Sequence, residues 1–159
     1  MLVTNAETKL KAGDPAPKVK GANQDEKPWN LESVLGKKTV LLYFYPKDNT
    51  PGCTRQACTL RDRMADLHKE NVEVIGVSFD DAESHRKFRK DHDLNFTLLA
   101  DTDGKIADAF GARKEPGRNI AKRMSFLIGK DGKIKHITDS PSADVHLAEM
   151  KEAIAKLEK

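Results

Sequence analysis

Apolar runs and helical stripes alternate along the central part of the chain. Uninterrupted apolar runs predict strands buried on both faces of a sheet. Segments in which apolar residues recur every three or four positions predict helices with one buried face. The predicted elements are, in chain order, strand Val40–Tyr45, a helix from Thr54, strand Val72–Phe79, helix Ala82–His92, strand Phe96–Leu99 and helix Ile106–Phe110.

The last part of the chain has a different pattern. Two apolar segments, Arg123–Ile128 and Lys133–Thr138, flank an Asp131–Gly132 pair, which favours the positive φ of a tight hairpin turn. A final helix is predicted over Ala143–Leu157. Its apolar stripe is predicted to be Val145, Ala148, Met150, Ile154 and Leu157. Early alternation and a late hairpin together predict an α/β fold, with a mixed central sheet flanked by helices.

The N-terminal part contains weaker signals. Gly13–Pro17 is rich in helix breakers and predicts an extended arm. Trp29–Gly36 is typical of a short helical turn that ends at glycine. The sequence contains no repeat, low-complexity tract or linker, so residues 1–159 are expected to form one domain.

Composition narrows the classes of function. The chain has 33% charged and 38% apolar residues and a net charge of +3, which is an ordinary balance for a soluble protein. The densest basic cluster, residues 86–90, is followed by Asp91 and Asp93 and therefore indicates a solvated helix face, not a nucleic-acid site. No apolar run approaches the roughly 20 residues needed to cross a membrane.

The N-terminal stretch Met1–Lys9 lacks the pattern of a secretory signal. We therefore expect a cytoplasmic protein. A periplasmic or organellar location would apply if a leader had been removed.

The candidate chemistry lies in the stretch Pro46–Cys58, which contains both cysteines of the chain. If Thr50 caps the following helix and Pro51 is its first residue, Cys53 falls in the first turn. Unpaired backbone N–H groups and the positive end of the helix dipole favour the thiolate there. Burial alone disfavours the charged form, so the site also needs hydrogen-bond donors or a cation.

Cys53 could instead be a small core residue, as many cysteines are. The Pro–Gly pair at the helix start, a nearby hydroxyl and the second cysteine favour redox chemistry. The neighbouring aromatic residues Tyr43, Phe44 and Tyr45 are expected to pack in the core.

Cys58 lies five residues after Cys53 on the same predicted helix. A regular helix places two such Cα atoms about 8–9 Å apart. A disulfide requires Cα atoms within about 7 Å. A Cys53–Cys58 bond therefore requires the first turns of the helix to unwind.

A zinc site is disfavoured by the spacing of the candidate ligands. Metal-binding cysteines usually lie two to four residues apart, with further ligands at matching spacing. The histidines are scattered and none is close to the cysteines in sequence, so we expect them to lie on surface helices and a strand. They are His68, His85, His92, His136 and His146.

At these residues the sequence resembles the peroxiredoxins. The family pattern Pro-x-x-x-Thr-x-x-Cys is matched by Pro46, Thr50 and Cys53. The wider run from Phe44 to Cys58, followed by Arg61–Asp62, is similar to the Q-type subfamily, also called bacterioferritin comigratory protein. Gly13–Pro17 and Arg123–Ile128 are similar to two further family segments. Two positions depart from the usual pattern: Gln56 where many relatives have glutamate, and Lys18–Val19 in the arm.

The resemblance implies a thioredoxin-like fold with an N-terminal extension. It also implies reduction of hydrogen peroxide and organic hydroperoxides, without a metal or organic cofactor. The implied roles are Cys53 as peroxidatic nucleophile, Cys58 as resolving thiol in an intramolecular disulfide, Thr50 and Arg123 as groups that bind the peroxide and hold the thiolate, and Pro46 as a shield against water. The implied reductant is thioredoxin or glutaredoxin. Because the second cysteine is in the same helix, we expect a monomer.

Two other functions remain open from the residues. A thiol–disulfide oxidoreductase acting on proteins would suit the fold, although such enzymes usually carry Cys-x-x-Cys. A redox-switched binding protein or chaperone is the other alternative, and no sequence feature specifically favours it.

Overall fold

The computed structural model describes residues 8–157. Residues 1–7, which form most of the stretch examined for a secretory signal, lie outside this range. The strands are β1 (Lys20–Ala22), β2 (Pro28–Asn30), β3 (Thr39–Phe44), β4 (Val72–Ser78), β5 (Thr97–Ala100), β6 (Met124–Ile128) and β7 (Ile134–Asp139). The α-helices are α1 (Pro51–Lys69), α2 (Ala82–His92), α3 (Lys105–Phe110) and α4 (Ala143–Ala155), and a short 3-10 helix covers Leu31–Ser33.

The main sheet has five strands in the order β5-β4-β3-β6-β7. Strands β3, β4 and β5 are parallel and are connected through α1 and α2, whereas β6 and β7 are antiparallel additions. This confirms the predicted mixed sheet flanked by helices. The parallel half requires helical crossovers, and the antiparallel half requires only a tight turn.

The central strand β3 is buried along its whole length, because both faces of the sheet are covered. Residues Val40, Leu42 and Phe44 face a core that also contains α3 and the N-terminal segment. Leu41 and Tyr43 face a second core formed with α1, α2 and α4. The prediction that the aromatic residues of this strand pack in the core is confirmed.

The hairpin between β6 and β7 forms where the Asp–Gly pair predicts it. Gly132 has a φ of +80°, a left-handed value that L side chains rarely adopt. The N-terminal arm pairs with this hairpin, since the N–H of Gly13 donates to the carbonyl of Ile134 and that of Ala16 to the carbonyl of Gly132. The arm is therefore held against the edge of the main sheet.

The N-terminal elements differ partly from the prediction. Strands β1 and β2, which the sequence pattern misses, form a two-stranded antiparallel sheet. Trp29 belongs to β2, and the predicted helical turn is reduced to the 3-10 helix over Leu31–Ser33. Strands of three residues are too short to produce a clear alternation, and their pairing partner decides whether they form.

Helix α4 is rotated relative to the predicted stripe. Val145 is 38% exposed and Ala148 is also exposed, whereas His146 and Leu147 are buried. Met150 and Ile154 face the core as predicted. Within residues 8–157, no helix is long and apolar enough to span a membrane.

The prediction that the histidines lie on the surface is wrong for two of them. His85 is 0% exposed and His146 is 1% exposed. Each has hydrogen-bond partners on both ring nitrogens, and these partners make burial of the polar ring acceptable.

Candidate active site

The end of β3 and the start of α1 place Cys53 in the interior of the protein. The loop between them ends at Thr50, and Pro51 is the first helical residue, as predicted. Cys53 lies in the first turn and is 1% exposed. Its side chain continues the buried stripe of α1, which also includes Ala57 and Leu60. The helix stripe therefore turns the thiol inward, while the helix start places it beside free backbone N–H groups.

Thr50 occupies the N-cap position, but its side chain does not cap the helix. Its hydroxyl instead donates to the carbonyl of Lys47 at 2.7 Å. The expectation that the Thr50 side chain caps the helix is therefore wrong, although Thr50 does occupy the N-cap position. The loop is closed on itself by this bond, and Thr50 leaves the N–H of Cys53 available to a ligand.

Arg123 supplies the cation that the sequence argument requires. It immediately precedes β6, and its Nη2 donates to Cys53 Sγ at 3.3 Å. Two further bonds fix the guanidinium plane, from Nη1 to Gln56 Oε1 at 2.7 Å and from Nε to the carbonyl of Pro141 at 3.1 Å. Gly52 leaves room for this group, because a Cβ at that position would lie 3.1 Å from Nη2.

Gln56 is 1% exposed and lies one turn after Cys53. It orients Arg123 through a neutral amide oxygen, whereas a carboxylate at this position would partly neutralise the guanidinium. The positive charge of Arg123 is therefore left for the sulfur. This contact gives a structural role to a residue that the sequence distinguished only as a departure from the family pattern.

Pro46 lies close to Arg123 at the edge of the site. The two residues line a cavity of about 240 Å³, together with Ala121 and the segment 139–141. Pro46 is half-buried. Its rigid apolar ring thus forms part of the wall around the exposed edge of the guanidinium.

Cys58 lies on the same continuous helix, is half-buried and is a free thiol, as is Cys53. Arg61 Nη1 lies 3.7 Å from Cys58 Sγ and also donates to the carbonyl of His92 at 2.6 Å. Each cysteine is therefore in contact with its own arginine. The sequence places Arg61 three residues after Cys58, a spacing that brings two side chains together on a helix.

Tyr43 forms part of the apolar wall behind the cysteines. Burial raises the pKa of its hydroxyl well above the usual value, and the nearby Cys53 charge acts in the same direction. Tyr43 is therefore neutral, and its hydroxyl has no hydrogen-bond partner among residues 8–157. It contributes a dry surface, not an ionisable group.

Comparisons of sequence and of structure both find peroxiredoxins among the proteins similar to this chain. The AhpC/TSA family model matches residues 12–137. The chain is 46% identical over 142 residues to peroxiredoxin Bcp of Escherichia coli strain K12, an alignment that covers 86% of this chain and 90% of the relative. It is 38% identical over 129 residues to the chloroplastic peroxiredoxin Q of Oryza sativa subsp. japonica, covering 81% of this chain and 59% of the relative.

The crystal structure of peroxidoxin BcpB from Mycobacterium tuberculosis superimposes on this fold with a TM-score of 0.88 and 29% sequence identity. That superposition covers 94% of this chain and 99% of the other chain.

Proposed function

The chain belongs to the AhpC/TSA family, has the thioredoxin-like fold of the Bcp and Q-type peroxiredoxins and is a thiol-dependent peroxidase; on this premise we propose that Cys53 is its peroxidatic nucleophile and Cys58 its resolving thiol. The observation that carries the proposal is the 3.3 Å contact between Arg123 Nη2 and Cys53 Sγ at the first turn of α1. A fixed cation and uncapped helix N–H groups together favour the anionic, nucleophilic form of the sulfur.

In the first step the Cys53 thiolate attacks one oxygen of the hydroperoxide. The O–O bond breaks, the sulfur becomes a sulfenic acid, and the other oxygen leaves as water or an alcohol after taking up a proton. Arg123 and the N–H of Cys53 stabilise the charge that develops on the departing oxygen. The Thr50 hydroxyl, held by Lys47, lies at the helix start to bind the peroxide, and Pro46 limits access of water.

In the second step the thiol of Cys58 displaces the sulfenic oxygen of Cys53. A disulfide forms, and the sulfenic oxygen leaves as water with its own hydrogen and the proton of the thiol. Both cysteines lie on α1, and a regular helix holds the two Cα atoms about 8–9 Å apart, so residues near 53–58 must unwind first. We assign to Arg61, whose Nη1 lies 3.7 Å from Cys58 Sγ, the stabilisation of the negative charge that develops on this sulfur as it attacks.

The third step returns the enzyme to its reduced state. Peroxiredoxins are reduced by thioredoxin-like donors, and we propose thioredoxin or glutaredoxin as the donor here. Such a donor requires a compartment that keeps thiols reduced, such as the cytoplasm. Because both cysteines belong to one helix, we propose that residues 1–159 work as one domain in a monomer, with no metal or organic cofactor.

The test is a pair of serine variants. Cys53→Ser is expected to abolish peroxide consumption. Cys58→Ser is expected to keep the first, single-turnover reduction and to lose recycling by thioredoxin. Mass spectrometry of the peroxide-treated parent should show an intrachain bond and the loss of two hydrogens. Full turnover by Cys53→Ser would overturn the assignment.

A further inference from the structure

A buried carboxylate connects the loop before Cys53 to helix α2. Asp48 is 6% exposed, although aspartate is rarely buried without partners. Its Oδ1 accepts from the Tyr45 hydroxyl at 2.6 Å, and its Oδ2 accepts from the Ser84 hydroxyl at 2.8 Å. Its Oδ2 also lies 2.7 Å from Nδ1 of His85. Two of these three partners are on the first turn of α2, so the loop and the helix share one hydrogen-bond network.

The hydrogen-bond partners of His85 determine how many protons the His85–Asp48 pair holds. Its Nε2 lies 2.9 Å from the carbonyl oxygen of Leu99, which can only accept, so Nε2 carries a proton. The 2.7 Å approach of Nδ1 to Asp48 requires one more proton between those two atoms. The pair is therefore either an imidazolium facing a carboxylate or an imidazole facing a carboxylic acid. In both forms the hydrogen bond is shielded from water, since the two side chains are 0% and 2% exposed.

A second set of contacts holds the next part of the same loop. Asn49 Oδ1 lies 3.0 Å from Nε2 of His92, near the end of α2. The N–H of Asp48 donates at 2.9 Å to Asp80, which also accepts from the Ser78 hydroxyl. Asn49 has a φ of +60°, a left-handed conformation that costs free energy unless its surroundings hold it. The loop is thus fixed to α2 and the end of β4 at two successive residues.

These contacts matter because the loop leads directly into the turn that must change shape. Peroxide reduction needs the helix start intact around Cys53, and disulfide formation with Cys58 needs it unwound. The loop cannot move with the unwinding turn while Asp48 stays bonded to α2. Breaking a water-excluded hydrogen bond of this kind is costly, because neither partner gains water while the core remains closed.

We propose that His85 is a positioning residue: with Asp48 it fastens loop 46–50 to α2 and sets the balance between the folded site, which reacts with peroxide, and the unwound site, which forms the disulfide. The proposal rests on the roles given above to Cys53 and Cys58. His85 touches neither sulfur and acts only through the loop. The network therefore controls how long the sulfenic acid stays in the folded site, where a second peroxide can oxidise it further.

The experiment measures two rate constants in His85→Leu, a variant that keeps both cysteines. Rapid quenching, thiol alkylation and mass spectrometry follow the oxidation of Cys53 and the formation of the Cys53–Cys58 bond separately. Oxidation by hydrogen peroxide is expected to slow about tenfold, because the loop no longer holds the reacting groups in place. Disulfide formation is expected to accelerate at least threefold, and the fraction of sulfinic acid at high peroxide should fall.

Two matched variants separate this effect from a general loss of stability. His85→Asn keeps a donor near the Nδ1 position and should recover most of both rate constants. Phe110→Leu removes packing from the core on the opposite face of the sheet, where Phe110 is buried. It should lower the melting temperature while changing each rate constant less than twofold. Ser84→Ala, which removes one bond to Asp48, should shift both rate constants about threefold in the same directions as His85→Leu.

The opposite movement of the two rate constants supports the proposal. Equal slowing of both steps in His85→Leu, or changes no larger than those in Phe110→Leu, would overturn it. If His85→Leu does not fold, Ser84→Ala decides the outcome, and unchanged rate constants in that variant would also overturn the proposal. A wrong assignment of the cysteines is recognised by a different result, because Cys53→Ser would then retain turnover.

Discussion

Replacing Arg123 by methionine tests the electrostatic basis of the proposed reaction. The substitution retains most of the side-chain length but removes the cation that lies 3.3 Å from Cys53 Sγ. It also removes the bonds to Gln56 and to the carbonyl of Pro141. Arg123 immediately precedes β6 and lies outside its paired residues, so the main change is the loss of charge and of donors at the sulfur.

The magnitude follows from the type of contact. A hydrogen bond to a charged group is worth about 1.5–3 kcal/mol, and every 1.36 kcal/mol of transition-state stabilisation is about a tenfold change in rate. The second-order rate constant for reduction of hydrogen peroxide is therefore expected to fall about 10- to 150-fold. Arg123→Lys should recover only part of this loss, because an ammonium group cannot bond to Gln56, Pro141 and the sulfur in the same planar arrangement.

The measurement is stopped-flow oxidation of the reduced enzyme at several peroxide concentrations. Arg55→Met is the matched control, since Arg55 lies on the exposed side of the first turns of α1 and pairs with Asp144 instead of a cysteine. Its rate constant should stay within twofold of the parent value. The proposed role of Arg123 is wrong if Arg123→Met also stays within twofold of the parent rate constant while folding normally, or if Arg55→Met is slowed to the same extent.

Two further predictions concern Cys58, the proposed resolving cysteine, and the stability of the protein in acid. Arg61→Gln should slow disulfide formation about tenfold and leave the initial oxidation of Cys53 unchanged, because Arg61 contacts only Cys58 of the two sulfurs; rapid-quench alkylation measures both steps. Burial lowers the pKa of His146 below the usual 6.5, so the unfolded chain binds more protons below that pH. The stability that the neutral ring provides is complete above pH 6.5 and decreases as the pH falls, by up to about 1.4 kcal/mol per pH unit. Denaturant titrations of the parent and of His146→Gln at pH 7 and pH 5 measure this decrease.

Each of these predictions has its own control. Arg63→Gln removes a neighbouring arginine of α1 that, within residues 8–157, donates to neither sulfur, and it should leave disulfide formation unchanged. His68→Gln accounts for the loss of an exposed histidine side chain in the denaturant titrations. A normal resolution rate in Arg61→Gln would contradict the role of that arginine. A constant difference in unfolding free energy between parent and His146→Gln from pH 7 to pH 5 would contradict the account of His146.

Several elements of the fold could be predicted because their signals are local. The apolar run of β3 is long and uninterrupted, and the stripe of α1 persists over several turns. The Asp131–Gly132 pair specifies a turn through the conformational freedom of one glycine. The features that the sequence did not predict also have a physical cause. β1 exists because it pairs with β2, and the buried face of α4 depends on the packing of that helix against β6 and α1, not on its own composition.

The candidate site divides in the same way. Pro46, Thr50 and Cys53 are close in sequence, so their spacing alone brings them together. Arg123 is separated from Cys53 by 70 residues, and only the family resemblance connected them before the structure placed them in contact. The buried position of His85 could not be inferred, because a histidine among charged residues on a helix usually faces water.

Local sequence is enough to specify which segments become strands and helices around the cysteines, that Cys53 falls in the first turn of α1, and that Cys58 follows on the same helix. These properties depend on neighbours within a few residues, and the backbone geometry of a helix or turn specifies them. Two contacts, by contrast, exist only in the folded protein: the one between Arg123 and Cys53, and the one between Asp48 and His85. They join residues 37 and 70 positions apart, and their free energy arises when packing limits access of water and fixes the donors against their acceptors.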